Sequence, residues 1–145
     1  MIATRRATLR DVDAIIKLAL ISLAVDPLPV KIDGGAMMNM TAAMIRDNSQ
    51  FVRVAEVDGK VVAVVGVSCS QGFWFYGQQA SMLLFWSTHT GAAIPLMREL
   101  ARWIKSRPII KLAVIECEPH IDQRAIKFIR RLGFTRESVN LVYVR

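Results

Sequence analysis

The chain has 145 residues, 53% hydrophobic and 21% charged, which suits one domain over 1–145 and excludes a disordered tail or a fibre. No apolar run reaches the roughly 18 residues a bilayer span needs, and the opening MIATRRATLRD is basic and polar with no signal-peptide core, so a cytoplasmic globular domain with no membrane partner is expected. The net charge of +7 is uneven: residues 1–97 hold 8 Lys and Arg against 7 Asp and Glu, and residues 98–145 hold 11 against 5, so the C-terminal third is the part that attracts an anion.

Residues 2–8 read as a first strand. Thr8 and Asp11 are both suited to cap the helix that follows. Val12, Ile15, Ile16 and Ala19 recur at helical spacing over 11–23, and Pro27 and Pro29 end that helix. A second helix over 36–47 is rich in methionine. Met37, Met40, Ala43 and Met44 share its apolar face, a surface suited to core filling or to lining a pocket.

A hairpin follows. Residues 51–57 and 60–69 read as two strands joined by Asp58-Gly59. The run 61–67 is apolar on both faces, the pattern of a central strand, and Gly66 inside it marks a bulge or a close approach of backbone. Residues 70–79 form a loop whose Phe73, Trp74, Phe75 and Tyr76 are suited to base stacking, core capping or a dimer contact. Residues 80–87 read as another buried strand.

From Gly91 to about Arg107 the period is again helical. Ala93, Leu96, Met97, Leu100 and Ile104 face inward, and Pro95 falls in the first turn, where its missing N–H is tolerated. Residues 109–117 read as a strand, 122–132 as a helix ended by Gly133, and 139–144 as a last strand. The two cysteines, Cys69 and Cys117, lie in apolar runs and read as core residues. No Cys/His cluster supports a metal. The order β-α-α-β-β-β-α-β-α-β predicts a mixed sheet with helices on its faces.

The segment Ser87-Thr88-His89-Thr90-Gly91-Ala92-Ala93-Ile94-Pro95-Leu96, between a strand and an amphipathic helix, resembles the acyl-CoA-binding loop of the GCN5-related N-acetyltransferases, the GNAT family. That loop reads Gln/Arg-x-x-Gly-x-Gly/Ala. Gly91 and Ala93 match its last two positions, and Thr88 replaces the Gln/Arg. Arg6 to Asp11 with Ile15 looks like the family's opening strand–helix junction. Leu112-Ala113-Val114, Ala125 and Leu132-Gly133-Phe134 look like its late strand–helix–Gly-Phe unit. The resemblance implies an α/β (α+β) fold, a GNAT-like mixed, mostly antiparallel twisted sheet of about six strands flanked by about four helices.

It also implies transfer of an acetyl group from acetyl-CoA to a primary amine by direct attack. A helix N-terminus has unpaired N–H groups and a positive dipole end, and small residues let the backbone close on a diphosphate. By position the cofactor contacts are Phe85, Trp86, Ser87, Thr88, His89, Thr90, Gly91, Ala92 and Ala93. Lys127 is a further contact, with Arg98, Arg124 and Arg131 as additional cations.

The strand over 80–87 has no carboxylate, so Glu116 and Glu118 are the nearest candidates for general base. The family's usual tyrosine acid falls at Ile129, which leaves Tyr143 or Ser138 as a substitute. The acceptor, a small-molecule or protein amine, is expected to be held by residues 22–50 and the 70–79 loop, with Asp26, Asp33 and Asp47 available to attract a cation. Two other uses of the chain stand beside this one. One is a catalytically inactive GNAT-fold interaction domain, dimerising through the aromatic loop or a strand edge. The other is a nucleic-acid-associated basic protein, against which the C-terminal charges are spread over two helices with no clustered run.

Overall fold

The computed structural model describes residues 1–145 throughout. Five strands form one sheet: β1 (Ile2–Arg6), β2 (Phe51–Val57), β3 (Lys60–Gln71), β4 (Gln78–Ser87) and β5 (Ile110–Val114), side by side in that order. The first four are mutually antiparallel, and β5 runs parallel to β4. The β2–β3 turn holds Asp58 and Gly59 both at positive φ, 51° and 76°. That is the paired left-handed geometry whose twist matches the strands it joins.

Two helices cover each face. On one face lie α1 (Val12–Val25) and α2 (Gly34–Arg46). There Ile15, Leu18, Met44 and Ile45 meet Val52, Val54, Val64 and Leu84. On the other lie α3 (Ala93–Lys105) and α4 (Gln123–Arg131). There Leu96, Met97 and Leu100 meet Phe51, Ala55, Val65 and Val67, while Phe128 and Ile129 of α4 pack on the margin. Each fully buried leucine contributes roughly 1.5–3 kcal/mol by leaving water. The α3–α4 contact is completed by the Arg98 guanidinium, 5.8 Å from the Phe128 ring centroid.

The junction ahead of α1 is held by charge. Asp11, buried, accepts the Thr8 backbone N–H at 2.7 Å and both terminal nitrogens of Arg5 at 2.7 and 2.8 Å. Arg5 also donates to Glu56 at 2.7 Å, so β1, β2 and the start of α1 share one guanidinium. The Arg5 hydrogen bonds outweigh the cost of burial and hold the Asp11 carboxyl below its usual range.

The structure corrects four expectations. The sheet has five strands rather than six, because residues 139–144 are not a strand. A strand needs a ladder partner. The left-handed Gly133 (φ 116°) turns the chain at the end of α4, and Arg130 then holds the Thr135 carbonyl and the Glu137 carboxylate. The chain is thereby kept beside α4, and Val139, Leu141 and Val142 stay exposed. Second, β5 stops at Val114, so strand alternation does not extend to Glu116 and Glu118. Third, Cys117 is exposed rather than in the core, while Cys69 is half-buried. Fourth, the 70–79 loop caps the β3–β4 hairpin at the start of β4. It therefore lies about 23 Å from Phe85, seven residues along the strand at roughly 3.3 Å each.

Candidate functional site

The site begins with a break in the sheet. Only Gln78–Ser81 of β4 pair with β5, and from Met82 to Ser87 that flank of β4 has no neighbour. On its other flank β4 stays paired with β3 to the end, and the Thr88 N–H continues that ladder by donating to the Val62 carbonyl at 2.9 Å. In an antiparallel ladder alternate residues exchange bonds with the partner. With the Thr88–Val62 pair bonded, Trp86 and Leu84 also bond to β3. The backbone groups of Phe85 and Ser87 then face the gap.

A bulge aims the end of β4. Gly66 stands opposite Leu84 and Val67 opposite Met82, so Leu83 is one residue too many. The extra residue reverses the alternation. Met82 packs with the α3 side and Leu84 with the α1 side. Beyond it Trp86 also packs on the α1 side, and Phe85 is left half-exposed.

The chain then turns into α3. Gly91 has φ 84°, and a side chain built there would meet nothing within 4 Å. Ala92 is fully buried beneath the turn. Two amides of the turn are spent internally: Ala92 donates to His89 and Ile94 to Gly91. The N–H groups of Thr90, Gly91 and Ala93 find no acceptor in the protein. Position 95 is proline, so the first turn carries no further orphan donor there. The helix start therefore offers three free donors and its positive dipole end, with small residues on its approach. This arrangement fits a diphosphate, and the open strand edge beside it fits an amide-bearing arm. The Thr88 hydroxyl lies 3.4 Å from the Val62 carbonyl, tying the loop to β3.

The expected cations divide. Arg98 stacks on Phe128, and Arg124 is committed to Asp122, its Nη2 2.8 Å from Oδ2. The Arg124 side-chain hydrogen bonds hold Asp122 below the usual carboxylate range. Lys127 and Arg131 are exposed and make no ion pair.

A cavity of about 540 Å³ opens beside the end of β4, under the α1–α2 connection. Phe85 and Trp86 line it from the end of β4, and Leu23, Leu28, Ile32 and Met37 line it from the α1–α2 side. Its polar lining includes Asp26, Lys31 and Asp33, with Glu118 reaching in from the loop after β5. The rim is bridged by His120, whose Nε2 is 3.8 Å from Asp26 Oδ2.

Of the candidate acids and bases, Glu118 lines this cavity, and Glu116, Tyr143 and Ser138 do not. Tyr143 is 84% exposed, with the Arg145 guanidinium 5.9 Å from its ring. Ile129 packs on the α3-side core. Asp47 is exposed elsewhere and caps its own turn, accepting from the Ser49 hydroxyl at 2.7 Å. The apolar wall from Leu23, Leu28 and Ile32 falls inside the 22–50 segment expected to hold the acceptor, though the sequence reading singles out none of these three. Its signal was a stretch around Pro27 and Pro29 that keeps Leu28, Val30 and Ile32 without helical or strand period. A separate cavity of about 400 Å³, between Arg6, Arg53, Arg102 and Trp103, lies at the β1–β2 end of the sheet, away from the break.

No family model matches the chain, and no curated protein sequence matches it. Solved structures do. A possible acetyltransferase from Clostridium difficile 630 superposes with a TM-score of 0.74 at 16% identity, covering 100% of this chain and 97% of that one. A predicted acetyltransferase from Clostridium acetobutylicum, crystallised with acetyl-CoA, gives 0.74 at 15% identity, covering 100% and 96%. An aminoglycoside acetyltransferase from an uncultured soil metagenomic sample gives 0.68 at 14% identity, covering 99% and 95%. The fold is that of the acetyltransferases, as the GNAT resemblance implies. No helix is long and apolar enough to cross a membrane.

Proposed function

We propose that the protein is an N-acetyltransferase of the GNAT type, moving an acetyl group from acetyl-CoA to a primary amine. The observation that carries this reading is the conjunction of the unpaired flank of β4 with the three free amides at the start of α3. Thr90, Gly91 and Ala93 hold the diphosphate, and Phe85 and Ser87 bond the pantetheine arm through their backbone. Trp86, Thr88, His89 and Ala92 shape the turn, and Lys127 is an exposed, unpaired cation on α4 available to a polyanion. A free backbone N–H on the open edge faces the developing oxyanion, a contribution of roughly 10²–10³ in rate.

Glu118 takes the proton of the bound ammonium. The free amine attacks the thioester carbonyl, the N–C bond forms and the C–S bond breaks. CoA leaves as thiolate, and the second proton that the nitrogen sheds on becoming an amide passes through water to the thiolate sulfur. A thiol with a pKa of about 8.5 leaves without an acid donor, which accommodates Ile129 and the distance of Tyr143.

Calorimetric titration with acetyl-CoA tests the reading. The protein is expected to give a saturable heat that Gly91→Asp abolishes, because a carboxylate at φ 84° is strained and repels the diphosphate. Absence of heat in the unmodified protein, or equal heat in both, overturns it.

One observation favours a second reading. Phe73, Trp74 and Tyr76 are almost fully exposed at the hairpin tip, a surface for a non-catalytic interaction domain. That reading predicts a dimer or a bound partner in the absence of turnover.

A further inference from the structure

We propose that the acceptor is a compact amphipathic amine, of the arylalkyl- or alkylamine class, rather than an amino sugar or an extended polycation. This rests on the acetyl-transfer reading above. The cavity beside β4, about 540 Å³, is the size of a small-molecule site. Seven of its twelve lining residues are hydrophobic, so most of the wall offers no partner to a hydroxyl. A polyhydroxylated acceptor would leave its hydroxyls unpaired against Leu28, Ile32 and Met37, a cost that an apolar body avoids.

The polar part is equally selective. Asp26, Asp33 and Glu118 against Lys31 give the lining a formal charge of −2 in a chain of +7, so the cavity attracts a cation that the rest of the surface repels. The three carboxylates are not equivalent. Asp33 Oδ1 accepts the Ala36 N–H at 2.9 Å and caps α2. Asp26 faces His120 at the rim. Glu118 has no side-chain partner, and it lines the same cavity as Phe85 and Trp86. One ammonium therefore has one free carboxylate to meet, while the aromatic wall takes the apolar body and adds a cation–π contact. An extended polycation would have to reach its other partners past the apolar wall, with Asp33 already capping α2 and Asp26 out at the rim.

The test measures CoA release with acetyl-CoA and three probes, 2-phenylethylamine, spermidine and kanamycin, with calorimetry of acetyl-CoA alongside. The expected result is a kcat/KM for 2-phenylethylamine at least about tenfold above either other probe, lowered in Phe85→Asn chiefly through KM. Equal or better turnover of kanamycin or spermidine overturns the class. So does an inert 2-phenylethylamine in a protein that binds acetyl-CoA; acetyl transfer stands where another probe is turned over and gives way to the non-catalytic reading where none is. If acetyl-CoA does not bind, the acetyl-transfer reading fails and the cavity is judged alone by saturation-transfer NMR. A 2-phenylethylamine signal that weakens in Phe85→Asn upholds the amphipathic site, and its absence removes that too.

Discussion

Leu84 lies across the bare face of Gly66: a Cβ built on Gly66 would sit 2.7 Å from Leu84 Cδ1 and 2.8 Å from its Cγ. Leu84 is fully buried against the α1 side, where the extra residue Leu83 has sent it. The glycine and the bulge are thus one feature, and together they set where the end of β4 points. Gly66→Ala is expected to destabilise the protein by about 1–3 kcal/mol through overpacking and to weaken acetyl-CoA binding by shifting β4. Urea unfolding of Gly66→Ala, Leu84→Ala and the double variant checks this. The double variant should lose less than the sum of the two, because shortening Leu84 makes room for the new methyl. Strict additivity would contradict the contact.

The Arg5–Asp11 pair ties β1 to the start of α1 and makes stability depend on pH. Asp11 titrates below its ordinary value of 3.8 when folded. Its contribution is full above that pH and is lost as pH falls through the folded value. Asp11→Asn is expected to lose about 1.5–3 kcal/mol near neutral pH, the range for hydrogen bonds to a charged group. The two proteins should converge in urea melts as pH falls below the folded-state value, where the wild-type carboxyl is also protonated. A gap that persists unchanged at low pH would assign the effect to packing.

Thr88 stands where the family pattern has Gln or Arg. Its amide, not its hydroxyl, makes the short bond to Val62, 2.9 Å against 3.4 Å. Thr88→Ala keeps the amide, so stability should change by less than about 0.5 kcal/mol, and acetyl-CoA affinity should change less than threefold by calorimetry. A larger loss of affinity would give the hydroxyl a direct part in binding.

The β2–β3 hairpin, the four helices and the strand into α3 were legible because each has a local signature: Asp58-Gly59, helical period, or Pro95 inside a first turn. Gly66 was legible as a bulge for the same reason. The break between β4 and β5 was not, because it depends on where a parallel partner stops, and Ile110–Val114 carries no mark of its short reach. The strand expected over 139–144 has β-forming residues and no neighbour to pair with. The acceptor cavity was half legible. Asp26 and Asp33 stood out by charge, but Glu118 joins them only through the path of the chain after β5, and the 70–79 aromatics lie at the opposite end of β4.

Glu116 and Glu118 are two residues apart, and the structure separates them: Glu118 lines the cavity and Glu116 does not. An aliphatic ammonium has a pKa of about 10.4 and must lose a proton before attack. Glu118→Gln is expected to lower kcat/KM by about 10²–10⁴ at neutral pH, the usual range for a lost general base. The deficit should narrow as pH rises and the acceptor deprotonates in water. Glu116→Gln should leave the whole pH profile in place. Acetyl transfer to 2-phenylethylamine from roughly pH 6 to 10 separates the two. Equal effects of both substitutions would place the proton acceptor elsewhere, and a deficit in Glu118→Gln that stays constant with pH would reduce Glu118 to a binding role.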